Sequence, residues 1–434
     1  MNTDKKASKL AYEVRSANSL SHTEIPRNFL LDKKRWIILI AACLINLCLG
    51  SIYAWSVFAS SMTEYFNNTL NLNVTVGDLA IVYTIANAVG PITMISGGMF
   101  NDKLGPKKVI ALGGIMFGIG MILSGFATSI PFLIVTYGLI AGLGLGMAYG
   151  STISTSVKYF PDKRGLIGGI TTAAYGLSSV ILPPVVTLIV NQSDATFAFK
   201  VVGAAFLIII VVCTFFMEQC PEGYIPKGYT PPKIRKGTGD LDWRRMLKTP
   251  VFYVMLILLT SGAFSGMMVI SQASAVAQNM IGMTAIAASA AVSILALFNA
   301  LGRILAGYIS DRIGRINTLM TACILCIIGM ISLYFSGEGS TLSFYAGISV
   351  VGISFGSFMG VYPGFTADQF GARNNSVNYG IMFIGFALAG YFGPQIMRNV
   401  YAGIGAYQNA FLIACGLNVL GILLTFLYRR LRKA

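Results

Sequence analysis

The sequence predicts an all-α membrane protein with twelve transmembrane helices in two six-helix halves. Its composition, the spacing of its apolar runs and a motif repeated at half the chain's length all lead there. Of 434 residues, 55% are apolar and 11% charged, and the mean hydropathy of +0.71 suits a chain dissolved in lipid rather than water. The one histidine, His22, lies in a polar N-terminal tail, so histidine acid–base catalysis and His-rich metal sites lack raw material. No enzyme activity, cofactor or resident metal is therefore expected. Six of the seven cysteines, Cys43, Cys48, Cys213, Cys323, Cys326 and Cys415, fall inside apolar runs, where they read as small packing residues and not as a disulfide framework.

Spanning the hydrocarbon takes about 20 mostly apolar residues. Twelve such runs are present, at 36–60, 77–99, 107–128, 131–156, 165–190, 199–217, 250–279, 284–308, 317–336, 341–365, 376–397 and 404–428. The first of them is too long for a signal-peptide core, so the polar residues 1–34 are expected to form a cytoplasmic tail. Residues 35–217 then make an N-terminal six-helix half and 250–428 a C-terminal one. Between them, 218–249 reads as a cytoplasmic linker, with Pro221, Pro226, Pro231 and Pro232 beside Lys233, Arg235 and Lys236. Residues 429–434 form a basic cytoplasmic C-terminus. Of 31 Lys and Arg, only Lys200 and Arg398 fall in loops of the opposite side, and only Arg303 falls inside a span. By the positive-inside rule both termini are cytoplasmic. The net charge of +15 follows the loops instead of forming one patch, so its expected partner is the membrane lipid and not nucleic acid. A monomer in a bacterial inner membrane or plasma membrane is the expected setting.

After the second run the chain reads Gly98-Met99-Phe100-Asn101-Asp102-Lys103-Leu104-Gly105-Pro106-Lys107-Lys108, and after the eighth Gly307-Tyr308-Ile309-Ser310-Asp311-Arg312-Ile313-Gly314-Arg315. Both are G-x-x-x-D-[KR]-x-G with basic followers, and the offset of 209 from Gly98 to Gly307 is close to half of 434. A duplicated six-helix unit explains this. A looser echo sets Phe160-Pro161 through Pro184 against Phe370-Gly371 through Pro394, at an offset of 210.

The doubled motif resembles the signature loop of the major facilitator superfamily of secondary transporters, over about 36–428 of this chain. The resemblance implies the major facilitator fold, whose halves enclose a central path and rock alternately to either side. It also implies a conformational latch built from Gly98, Asp102, Lys103 and Gly105 with Gly307, Asp311, Arg312 and Gly314. The glycines allow close helix approach, and the aspartates can accept hydrogen bonds from helix N-termini and basic groups; Asp102 is expected to matter more than Asp311. Three further stretches, Gly50-Ser51-Ile52-Tyr53-Ala54-Trp55-Ser56-Val57-Phe58, Lys158-Tyr159-Phe160-Pro161-Asp162-Lys163-Arg164-Gly165 and Asn299-Ala300-Leu301-Gly302-Arg303, resemble the oxalate:formate antiporter family. That resemblance implies a small carboxylate as cargo.

A charge at the bilayer centre costs several kcal/mol unless paired or wet, so an intramembrane ionisable residue is a functional candidate. Arg303 precedes Asp311 by eight residues, about 12 Å in from the end of its helix at 1.5 Å per residue. Its planar fork suits a carboxylate, and the family's matching arginine serves that role; the alternative is an arginine that reaches back to Asp311. Asn299 lies one turn deeper on the same face. Aromatic candidates are Tyr53, Trp55, Tyr149 and Tyr83, followed by Tyr175 and Tyr379, with Gln272 as a neutral polar candidate. Oxalate-type members of the family carry a lysine in the eleventh helix where this chain has Phe386. With one cation instead of two, a monocarboxylate such as pyruvate, lactate or formate fits better than a dianion. An oxalate-type exchanger, a drug efflux carrier and a transporter-like sensor remain as alternatives. No Asp or Glu sits mid-span, so proton symport lacks a dedicated carrier. Antiport of anions, or symport of a proton with the substrate, stays open.

Overall fold

The computed structural model describes residues 31–230 and 240–433. The expected tail up to residue 30, with His22, the linker centre carrying Pro231, Pro232, Lys233, Arg235 and Lys236, and Ala434 lie outside the described residues. Twelve helices are long and apolar enough to cross a membrane: Leu31–Leu70, Ala80–Leu104, Pro106–Ser124, Ile130–Tyr159, Arg164–Gln192, Ala195–Phe216, Pro250–Asn279, Ala287–Ile313, Arg315–Tyr334, Thr341–Phe370, Asn375–Ile404 and Gln408–Arg432. They are spans 1 to 12 below. The chain is an integral membrane protein of the expected class, two six-helix halves with no strand among the described residues.

Several spans outrun their apolar runs. Span 1 continues through Thr63, Glu64, Asn67 and Asn68 to Leu70, because a helix that leaves the hydrocarbon keeps its own backbone hydrogen bonds whatever its side chains. Span ends are fixed by local chemistry. Span 6 starts after Asp194, whose Oδ1 accepts from Phe197 N at 2.7 Å, and span 7 after Thr249, with Pro250 at its first position. Gly105 and Gly314, at φ of 85° and 90°, make the sharp turns from span 2 to 3 and from span 8 to 9, a conformation a side chain would strain.

Three spans are irregular, span 4 through a π-helical segment, Ile134–Ala141. Span 1 passes through a 3-10 segment, Gly50–Ala54. There Gly50 packs so closely on the Tyr175 carbonyl of span 5 that a Cβ would overlap it. Span 11 breaks at Phe383, between the helices Asn375–Met382 and Ile384–Ile404. Such interruptions are tolerated at membrane depth where they are buried in protein or line a cavity.

The halves meet along two seams related by the internal repeat. In one, Gly307 of span 8 lies against Gly165 of span 5, so tightly that a Cβ on either would overlap the other's carbonyl. In the other, Gly98 of span 2 lies against Ser376 and Val377 of span 11, where a Cβ would stand 2.7 Å from the Ser376 carbonyl. One turn deeper, Gly169 packs on the Arg303 carbonyl and Gly380 on that of Met94. The looser echo is structural too: Phe160 and Phe370 close spans 4 and 10, and Pro184 and Pro394 lie inside spans 5 and 11. Among the described residues, every side-chain hydrogen bond and ion pair joining the halves lies at the end carrying the signature loops or at Arg303. That basic end is shut.

Candidate functional site

The glycine seams position Arg303. Its backbone is enclosed by Gly169 of span 5 and by Gly356 and Gly360 of span 10, none of which leaves space for a Cβ. Arg303 is 2% exposed. Its Nε donates to Asn299 Oδ1 at 3.1 Å and its Nη1 to the Thr172 carbonyl of span 5 at 2.7 Å. The side chain thus runs away from Asp311 and across the interface, which disposes of the reading in which it joins the signature loop. No acidic partner stands beside it among the described residues. Gly176 leaves the room the fork occupies: a Cβ there would be 3.3 Å from Arg303 Cζ.

Around the guanidinium stands a tyrosine cluster. Tyr53 and Tyr149 stand near it, and Tyr175 and Tyr379 complete the cluster. The Tyr175 ring meets Tyr53 edge-on at 5.3 Å and Tyr149 at 4.5 Å. Tyr83 stands beside Tyr53. Of the sequence candidates, then, Arg303, Asn299, Tyr53, Tyr149 and Tyr83 gather in one place.

Three candidates are elsewhere. Trp55 is 6% exposed and packs on Tyr137 at 4.6 Å; two residues from Tyr53, past the end of the 3-10 segment, it points to another side of span 1. Gln272 is half-buried in span 7 with no hydrogen-bond partner among the described residues. Phe386 lies one ring further out, stacked on Phe383 at 4.5 Å; Phe383 in turn meets Tyr149 at 6.0 Å. Thr172, Gly176 and Phe383 belong to the neighbourhood and carry no signal in the sequence that distinguishes them from packing residues. The repeat exposes an asymmetry: at an offset of 209 the counterpart of Arg303 is Met94, and at 210 that of Phe386 is Gly176.

Of the residues expected to form a latch, the two aspartates reach the opposite half. Asp311 accepts from Gly165 N at 2.9 Å and Leu166 N at 2.8 Å, at the start of span 5, and pairs with Arg315 at 2.7 Å. Asp102 pairs with Lys158 at 2.6 Å and accepts from Val377 N at 3.2 Å, at the start of span 11. Each aspartate caps a helix of the opposite half, where the exposed N–H groups favour an anion. Lys103 and Arg312 take no part: Lys103 is exposed with no partner among the described residues, and Arg312 lies over the Tyr308 ring at 4.3 Å. Both follow their aspartate directly and so point about 100° away from it. Their places are filled by Lys158 and Arg315, and by Asp368, which takes Arg164 at 2.7 Å and Arg315 at 2.9 Å. Beneath the Asp102 pair, Ser376 receives Asn101 Nδ2 at 2.6 Å and donates to Ser154 at 2.8 Å. Asp78, just before span 2, serves its own loop: Thr75 N and Oγ1 both donate to it at 2.8 Å, and the Thr75 N–H holds its carboxyl below the usual range.

Two helical bundles closed at one end around a buried cation form a membrane transporter. Residues 40–394 match the Major Facilitator Superfamily, and the chain belongs to that family. It is 28% identical over 385 residues to the oxalate:formate antiporter of Oxalobacter formigenes, covering 87% of this chain and 88% of that one. It is 24% identical over 436 residues to monocarboxylate transporter 12 of Homo sapiens, covering 92% and 81%. Among solved structures, the proton:xylose symporter XylE bound to 6-bromo-6-deoxy-D-glucose superposes with a TM-score of 0.72 at 15% identity, covering 91% and 95%; that likeness concerns the fold.

Proposed function

We propose that this transporter moves a small monocarboxylate, such as pyruvate, lactate or formate, by alternating access, with the carboxylate held by Arg303. One observation carries the reading: a guanidinium 2% exposed, between the halves, with no acidic partner among the described residues. A buried unpaired charge costs several kcal/mol, and an anion arriving at the tyrosine side would neutralise it. The likeness to an oxalate:formate antiporter and to a monocarboxylate transporter supports the same class. Phe386, where the resemblance to oxalate-type members would put a second cation, is apolar, as is Met94, the repeat counterpart of Arg303, so a dianion would stay half-compensated. Because the shut end carries the basic loops, the positive-inside rule assigns it and both termini to the cytoplasmic side.

Counterflow in proteoliposomes tests this. Labelled pyruvate or lactate should exchange against internal monocarboxylate; carriage of lipophilic drugs with no carboxylate exchange would overturn the reading. Two variants probe the site further. Gly176→Val should raise the KM for the carried acid roughly tenfold at unchanged membrane expression, because overpacking by about 1–3 kcal/mol displaces the guanidinium; an unchanged KM would remove Gly176 from the site. Phe386→Lys should improve competition by oxalate relative to pyruvate by supplying a second cation, against the repulsion of two like charges. A folded, active lysine variant with unmoved preference, or a parent protein that already prefers oxalate, contradicts the one-cation argument.

A further inference from the structure

The wall facing away from Arg303 is a stack of phenylalanines. Phe383, at the break in span 11, lies 6.0 Å from Tyr149 and 4.5 Å from Phe386, with 26° between the last two ring planes. Phe386 continues onto Phe355 at 6.3 Å and 23°. Phe355 is 2% exposed and is seated on Gly266 of span 7, where even a Cβ would overlap the ring. Phe383 and Phe386 are half-buried. Two rings therefore stay partly exposed, and the third braces them against the backbone of span 7. Tyr149 stands between this stack and the cation, so the site is ionic and hydroxylated at one end and aromatic at the other.

We propose that Phe383 and Phe386 are specificity-determining residues that set the length of the apolar tail on the carried acid. This rests on the carboxylate reading above. A substrate anchored by its carboxylate on Arg303 has one end fixed, and its other end meets a stack that Phe355 on Gly266 prevents from yielding. An acid with no tail leaves the rings uncovered; an acid whose tail is too long collides with them. The preferred class is a short-chain monocarboxylate with an apolar tail, and formate is a poorer substrate than its longer homologues. Each methylene that reaches apolar surface gains roughly fourfold in affinity, from about 0.8 kcal/mol per buried methylene.

The test is competition against labelled pyruvate in proteoliposomes by two homologous series, the unbranched acids from formate to hexanoate and the corresponding 2-oxo acids. The parent protein should show an optimum at a short chain. Phe383→Ala and Phe386→Ala should each move that optimum to acids one or two carbons longer, with relative affinity rising roughly fourfold per added methylene. Phe383→Leu and Phe386→Leu, which keep most of the volume, should move it less and in the same direction, and they carry the test if the alanine variants fail to reach the membrane. A uniform loss across each series, with the optimum unmoved, would overturn the assignment and leave the rings a packing role. A parent protein that carries monocarboxylates with no length optimum would overturn it while sparing the carboxylate reading. Failure to carry any monocarboxylate would overturn both.

Discussion

Arg303→Ala should lower carboxylate uptake at least about 30-fold, because truncating one partner of a buried charge pair costs about 2–5 kcal/mol. The loss should appear in substrate affinity, with membrane expression unchanged. Stability should move the other way. In the empty carrier Arg303 is a buried cation held only by Asn299 and the Thr172 carbonyl, and replacing an uncompensated buried charge by a small apolar group relieves its desolvation. The purified alanine variant should therefore melt no lower than the parent, separating a binding role from a structural one. Arg303→Lys keeps the charge but loses the planar fork that spans Asn299 and Thr172, so it should transport poorly as well. Normal uptake by the alanine variant would remove the binding assignment.

Asp311→Asn should shift the resting protein toward inward-facing states, and by more than Asp102→Asn. The carboxylate of Asp311 takes two backbone N–H groups of span 5, at 2.9 and 2.8 Å, as well as Arg315. Asp102 takes only one, at 3.2 Å, beside Lys158. This reverses the ranking expected from the sequence. Hydrogen bonds to charged groups contribute about 1.5–3 kcal/mol each, so weakening one or two moves a two-state population by roughly 10- to 100-fold. Ser154, buried at the shut end, is a suitable reporter: in a cysteine-free background, Ser154→Cys should be labelled slowly in the parent and much faster with Asp311→Asn. Unchanged labelling with both aspartate variants would contradict the latch.

Legibility followed the range of each signal. Span number, the halves and the two aspartates could be read from the chain, since apolar length and a repeated motif are local properties. Arg303 could be read because a lone charge in lipid needs a reason wherever it is. The partners could not. Lys158 meets Asp102 from 56 residues away and Thr172 meets Arg303 from 131, pairings set by helix packing, which one sequence does not record. Neighbours in sequence are not neighbours in space: helical geometry separates Trp55 from Tyr53, and Lys103 and Arg312 from their aspartates. A phenylalanine in an apolar run such as Phe383 reads as packing, and its approach to Tyr149, 6.0 Å away on another span, is a tertiary contact.

Isothermal titration of the purified protein in nanodiscs with pyruvate, beside Arg303→Ala, bears most directly on a single buried cation holding a single carboxylate. The parent protein should bind one pyruvate per chain and oxalate more weakly, and the alanine variant should give no binding heat at the same concentrations. Equal pyruvate binding by both proteins, or tight oxalate binding by a parent protein indifferent to monocarboxylates, would contradict it.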